Sequence, residues 1–228
     1  RLKQFRVGVG GIVAETLGIE TERVNVIHPD TDVTPYDMAT LGSRSTFHTG
    51  NAVKLAAEDA RDKLAEMARE VGIDPTGDFS VLAVFKGHYG MQAGTIIGAG
   101  AYIPGYVSPD QHGQSSLVTP YWMSGATAVE VEVDTETGHF KVTRMVSAVD
   151  CGKPLNPRIV ETQISGAATM QLGFTTSEQM DFQGGQVTNA SFADYKIPGI
   201  HDVPPMENHI VDATQTTGPF GAKGVGES

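Results

Sequence analysis

The chain has 228 residues, with 16 Lys and Arg against 27 Asp and Glu, for a net charge of −11. That balance excludes a protein that grips nucleic-acid phosphates with a basic face, and no apolar run nears the roughly 18 residues that span a bilayer. The single cysteine, Cys151, excludes an internal disulfide framework and a self-contained iron–sulfur or cysteine-rich zinc site, and it suits a reducing cytoplasm.

The length suits one or two domains with a real core. Residue 1 is Arg and the last three residues are Gly-Glu-Ser, so a piece of a larger assembly is expected. Arg1, Lys3 and Arg6 precede an apolar stretch from Val7 to Ala14, which has the outline of a signal peptide. The stretch is Gly-rich, runs into Glu15 and lacks a small-residue cleavage site, so that reading is set aside.

Residues 12–18 are expected to close a short helix at Gly18. Val24, Val26 and His28 alternate with Asn25 and Ile27, a strand pattern ending at Pro29-Asp30. Residues 30–50 read as a long loop, a type of segment that often carries function. The clearest helix is 51–71, where Val53, Ala56, Ala60, Leu64, Met67 and Val71 make one apolar stripe. Ser80–Phe85 reads as a buried strand, and 87–125 as Gly-rich and aperiodic, with a short strand candidate at Gly98–Ile103. Thr127–Asp134 alternates cleanly, turns at Thr135–Gly138 and continues through Phe140, Val142 and Met145 as a hairpin. Asn156-Pro157 caps and opens a second helix that ends near Gly173. A second hairpin is expected through Gln183-Gly184-Gly185, an extended run over 196–206, and a last strand at Glu207–Val211. Irregularly mixed helices and strands make the fold class α+β (mixed α/β), and a split into two subdomains near 125–150 is one arrangement open to it.

The seven histidines are scattered, and none lies four residues from another. No His-Glu-x-x-His or EF-hand pattern occurs, so no metal held directly by the protein is expected. There is no Gly-x-Ser-x-Gly nucleophile elbow. Cys151 has no histidine nearby in sequence to lower its pKa, which favours a buried inert thiol over a nucleophile. Two segments could cradle an anion. Leu41-Gly42-Ser43-Arg44-Ser45-Thr46 offers hydroxyls, a guanidinium and main-chain donors just ahead of the long helix, where anions are favoured; a polar loop with a helix cap is the alternative. Gly218–Glu227 holds four glycines and one lysine, without the Walker pattern, and fits a ligand loop or a structural turn. Glu227, after Gly-Val-Gly, is a carboxylate on a bare backbone and could act as a general base.

Taken in order, these segments resemble one family, the molybdopterin-binding large subunit of the xanthine oxidase family of molybdenum hydroxylases. The resemblance runs through Asp30–Asp37, Gly42–Thr46 with Gly50–Val53, Pro120-Tyr121-Trp122, Asp150–Pro157, Asp194–Pro198 and the loop 218–227, and covers roughly residues 12–228. It implies the C-terminal part of a molybdenum-cofactor-binding domain. The cofactor would be molybdopterin, in bacteria usually its cytosine dinucleotide form, so the metal needs no protein ligand. Gly42, Ser43, Arg44 and Ser45, with Lys223, Gly224, Val225 and Gly226, match the cofactor-binding loops. Glu227 matches the catalytic base, which takes a proton as water-derived oxygen attacks an electron-poor carbon. The resemblance further implies partners: the rest of the molybdopterin-binding chain, an iron–sulfur subunit and a flavin subunit carrying FAD. The substrate would be a purine or other N-heteroaromatic ring, or alternatively an aldehyde. A non-catalytic scaffold subunit is a further reading, and a carboxylate hydrolase would need a second acid near Glu227.

Overall fold

A computed structural model describes residues 2–27, 29–38, 40–92, 94–213 and 215–227, with side chains from residue 8 onward. The chain divides into two compact units. The first is Arg1–Pro120 with Thr217–Phe220, and the second is Tyr121–Thr216 with Gly221–Ser228.

The first unit is helical. Helix α1 spans Leu2–Leu17, starting well before the short helix expected at 12–18. Its glycines lower helix propensity, yet they also permit close packing: a Cβ at Gly10 would lie within 4 Å of the Val24 and Val26 side chains. Thr21–Arg23 forms one 3₁₀ turn, and residues 24–27 run extended without joining a sheet. The strand expected over 24–28 is therefore absent over its described part, and His28 lies outside the described residues. Alternation cannot make a strand without a partner; here Val24 and Val26 face helix α1 instead.

Helix α2, Gly50–Glu70, carries the predicted stripe. A π-helical turn, Ser45–Thr49, leads into it. The chain over 94–103 forms no strand. It lies on α2 through glycines: a Cβ at Gly98 would come to 2.1 Å from the Ala56 carbonyl oxygen, and one at Gly100 to 2.3 Å from that of Ala52. Residues 80–85, expected as a strand, begin helix α3, Val81–Tyr89, with the Ser80 hydroxyl capping the Ala83 N–H at 3.3 Å. A short apolar run has no period that separates helix from strand. The Ser cap was the signal that could have decided it.

The second unit is a three-stranded sheet with a helix on it. Strands β1 (Gly125–Val133) and β2 (Phe140–Asp150) pair antiparallel, and β5 (Met206–Val211) pairs parallel to β2. The Asp134 carboxylate accepts from the Glu136 and Thr137 N–H groups and closes the hairpin turn, with Gly138 at φ 77°. Helix α4, Pro157–Thr176, starts where expected, its Asn156 side chain accepting from the Ile159 N–H, and ends one turn later. Val149, Cys151, Val160 and Ile164 form the core, joined by Met123, Ile210 and Val225. The second hairpin shrinks to β3 (Phe182–Gln183) and β4 (Gln186–Val187) around Gly184 and Gly185, because α4 still holds residues 174–176. Every residue of β1 is exposed.

Candidate functional site

In the first unit the Gly42–Ser45 loop is tightly shaped. Gly42 has φ 57° and Ser43 φ 53°. Positive φ is costly for a residue with a side chain and persists only when the surroundings hold it. The Arg44 N–H donates to the Leu41 carbonyl at 3.2 Å, and the Ser45 hydroxyl donates to the Thr40 hydroxyl at 3.0 Å. Ser45 then opens the π turn that runs into α2, so Ser43, Arg44 and Ser45 stand at the amino end of a long helical run.

Behind the loop lies a histidine that the sequence pattern did not single out. His48 is 8% exposed. Its main-chain N–H donates to the Arg44 carbonyl at 2.8 Å, and its Nδ1 lies 3.3 Å from the same oxygen. Its Nε2 lies 2.7 Å from the Tyr106 hydroxyl. Phe47 and Tyr102 meet it edge-on, and Tyr106 stacks on it. Burial, and then the Arg44 charge, push the imidazole below its usual pKa. The next buried polar residue, Asn51, donates to the Thr217 carbonyl at 2.9 Å, and Gly50 leaves room for Pro219, whose Cγ would sit 2.8 Å from a Cβ there. In this way residues 217–220 are moored to the start of α2.

In the second unit the loop around 221–227 is zipped onto the end of β2. The Lys153 N–H donates to the Gly221 carbonyl and the Lys223 N–H to the Cys151 carbonyl, both at 2.8 Å. Gly152 bridges Ala222 at φ 62°, where a Cβ would meet the Gly221 oxygen at 2.3 Å. The Lys223 ammonium is 2.6 Å from the Asp150 carboxylate and 3.0 Å from the Trp122 carbonyl. This ion pair is nearly buried, with side chains 10% and 14% exposed. Asp150 also accepts from the Gly152 N–H through its other oxygen at 2.8 Å.

In the fold, Lys223 is engaged by its own loop and by the end of β2. Its ammonium and its N–H serve the loop's own architecture, because a cation this buried needs an anion beside it. Gly224 is buried and Val225 joins the core, while Gly226 takes φ 130° with Gln163 against it, whose Oε1 would lie 2.8 Å from a Cβ. Glu227, at the end of this run, is exposed. Asp150 and Gln163 are the residues that local reading missed, since their partners lie far along the chain. Cys151 is buried, and burial with the Asp150 charge pushes its thiol pKa up, as an inert core thiol requires.

The first unit's loop offers hydroxyls and a guanidinium, and the second unit's loop, taken by itself, offers glycine-rich main chain. Such groups hold phosphates and ring acceptors rather than a bare metal ion. Among the described residues no three His, Cys, Asp or Glu side chains gather into a metal cluster, and no helix is long and apolar enough to cross a membrane.

Comparison with known proteins agrees with this chemistry. The chain is 31% identical to the "Probable hypoxanthine oxidase XdhD" of Escherichia coli K12 over 235 residues, covering 95% of the chain and 23% of that protein. It is 30% identical to the 6-hydroxypseudooxynicotine dehydrogenase complex subunit gamma of Paenarthrobacter nicotinovorans, covering 95% and 29%. Among solved structures, the aldehyde oxidoreductase of Desulfovibrio desulfuricans superimposes with a TM-score of 0.76 at 30% identity, covering 97% of this chain and 23% of that one. The chain thus spans about a quarter of the length of these relatives. A family model described as the molybdopterin cofactor-binding domain matches residues 6–204, which take in the Gly42–Ser45 loop and Asp150 but stop short of Glu227. On a match covering most of its length, the chain belongs to the molybdopterin cofactor-binding domain family.

Proposed function

We propose that this chain is the C-terminal part of the cofactor-binding domain of a molybdenum hydroxylase, an oxidoreductase active only in its full complex. The observation that carries this reading is the family match over residues 6–204, combined with a donor-rich loop at the head of α2. Ser43, Arg44 and Ser45 bind anionic oxygens of the cofactor, with Gly42 allowing the turn. In the cytosine dinucleotide form those oxygens are a diphosphate, for which a guanidinium is the fitting partner. The main chain of Gly224, Val225 and Gly226 contributes further contacts, while Lys223 holds that loop in shape. When bound, the cofactor supplies the redox and oxygen-transfer chemistry of the reaction. Glu227 accepts, on a carboxylate oxygen, the proton released as water-derived oxygen passes to the substrate carbon.

The substrate class is a purine or other N-heteroaromatic ring, supported by the relatives named for hypoxanthine and 6-hydroxypseudooxynicotine. An aldehyde is the second reading, supported by the 30% identity to the aldehyde oxidoreductase. Iron–sulfur and flavin subunits and the remainder of the cofactor-binding chain complete the enzyme. A reducing cytoplasm suits its one buried thiol.

The test is molybdenum per chain, by elemental mass spectrometry on the natively purified complex. About one molybdenum is expected, together with CMP after acid release. A complex without molybdenum would overturn the reading; molybdenum without CMP would overturn only the dinucleotide form.

A further inference from the structure

We propose that His48 and Tyr106 form a latch that holds the Gly42–Ser45 loop in the conformation that binds cofactor. This rests on the cofactor-binding reading of that loop.

The geometry begins with the Arg44 carbonyl. An oxygen there can only accept, so His48 Nδ1 carries the ring proton, adding a second donor to the 2.8 Å bond from the His48 N–H. Nε2 is then bare, and the Tyr106 hydroxyl donates to it at 2.7 Å. One side chain thereby ties the loop to Tyr106, which is 58 residues further along the chain. The positive φ of Ser43 gives the latch work to do, since that conformation relaxes unless its neighbours are fixed. The π turn brings a further argument. Single π turns are rare and recur at functional sites, and this one spans Ser45–Thr49, with His48 inside it and Arg44 as its cap.

The groups facing the ring are Arg44, Asp37, Tyr102 and Tyr106. A proton added at Nε2 reverses the bond to Tyr106, whose hydroxyl oxygen then accepts, and sets a second, poorly solvated positive charge beside Arg44, which strains the loop it is tied to. The latch therefore opens as pH falls below the ordinary imidazole range.

The experiment uses the whole enzyme, as wild type and as His48→Ala, His48→Asn and Tyr106→Phe. The first readout is the rate of molybdenum loss between pH 5 and 8. Wild type should lose molybdenum faster toward pH 5. His48→Ala should lose it about ten-fold faster than wild type at pH 7.5, the order of one buried hydrogen bond. His48→Asn, whose amide still reaches the Arg44 carbonyl, should lie nearer wild type at pH 7.5 but show no acid acceleration. The second readout is trypsin cleavage after Arg44 in cofactor-stripped enzyme, which should quicken in His48→Ala and Tyr106→Phe while cleavage after Arg61 and Arg158 does not. An identical pH profile in wild type and His48→Asn would overturn the latch, as would unchanged cleavage after Arg44. Wild-type enzyme that holds no molybdenum would instead remove the cofactor reading, and the trypsin rates alone would then decide whether the latch exists.

Discussion

Lys223→Met is the sharpest perturbation of the second unit. Methionine keeps the length of the stem and deletes the ammonium. The Asp150 carboxylate keeps the Gly152 N–H on one oxygen, but the other loses the cation that stood 2.6 Å away. Breaking a buried pair costs about 3–5 kcal/mol, because the charge left behind is desolvated without compensation. Here the side chains are 10% and 14% exposed, so some water reaches them and the lower end, about 3 kcal/mol, is expected. Tenfold corresponds to about 1.4 kcal/mol, so amide exchange in strand β2 should quicken roughly 150-fold. Hydrogen exchange is the right assay because it reads the second unit by itself. The double variant Lys223→Met with Asp150→Leu removes both charges and should cost less than the sum of the single changes, with a coupling of about 2 kcal/mol. Exchange in β2 that changes less than about three-fold in Lys223→Met, or single effects that simply add, would refute the claim that this pair anchors the loop.

Gly152→Ala forces a side chain onto a backbone at φ 62°, 2.3 Å from the Gly221 oxygen. It should destabilise the second unit by about 2–3 kcal/mol, the handedness penalty plus the displaced bridge, again read by exchange in β2. Glu227→Gln in the complete enzyme should lower kcat about 10²- to 10⁴-fold with molybdenum content unchanged; an unaltered rate would remove the base assignment. His48 sets an acid limit on the first unit. Its folded pKa lies below the usual 6.5, chiefly through burial, so the unfolded chain takes up the proton first as pH falls. Its contribution is complete above about 6.5 and is lost as the pH drops through the folded value. The fall in thermal midpoint from pH 7 to 5 should shrink in His48→Asn, and an equal fall in both would refute this.

What could be read from the linear chain was whatever is local. The stripe from Val53 to Val71 makes α2, the alternation at 127–133 makes β1, and Asn156-Pro157 opens α4. These elements carry their period and caps within one stretch. The errors fall where a distant neighbour decides. Val24 and Val26 alternate like a strand but rest on helix α1. Gly98 and Gly100 look like strand or loop residues, and their role is to let the chain touch the α2 main chain. The helix at 81–89 was hidden because a short apolar run fits either period. The same holds at the site. Ser43 and Arg44 stand out locally, whereas two groups on the Arg44 carbonyl, the main-chain N–H and Nδ1, come from His48, and the brace on His48 comes from Tyr106.

The Gly-rich loop shows most clearly what distant contacts add to a local reading. Read as a string, Gly218–Glu227 fits a ligand loop or a structural turn, and only the family resemblance puts Lys223 among the cofactor-binding positions. In the fold the segment has two halves with different duties. Gly221, Ala222 and Lys223 are tied to Lys153, Gly152, Cys151 and Asp150 by main-chain bonds and one ion pair. Gly224, Val225 and Gly226 follow from that anchor, with Val225 in the core and Gly226 against Gln163 at a φ that only glycine takes easily. A carboxylate placed next in sequence inherits the rigidity of the anchor without contributing to it. Glu227 is exposed, and on the proposed reading its main chain takes its place from that anchor, as a general base requires. On this division, changes at Asp150 or Lys223 should act on Glu227 through its placement, whereas changes at Glu227 should leave the anchor untouched.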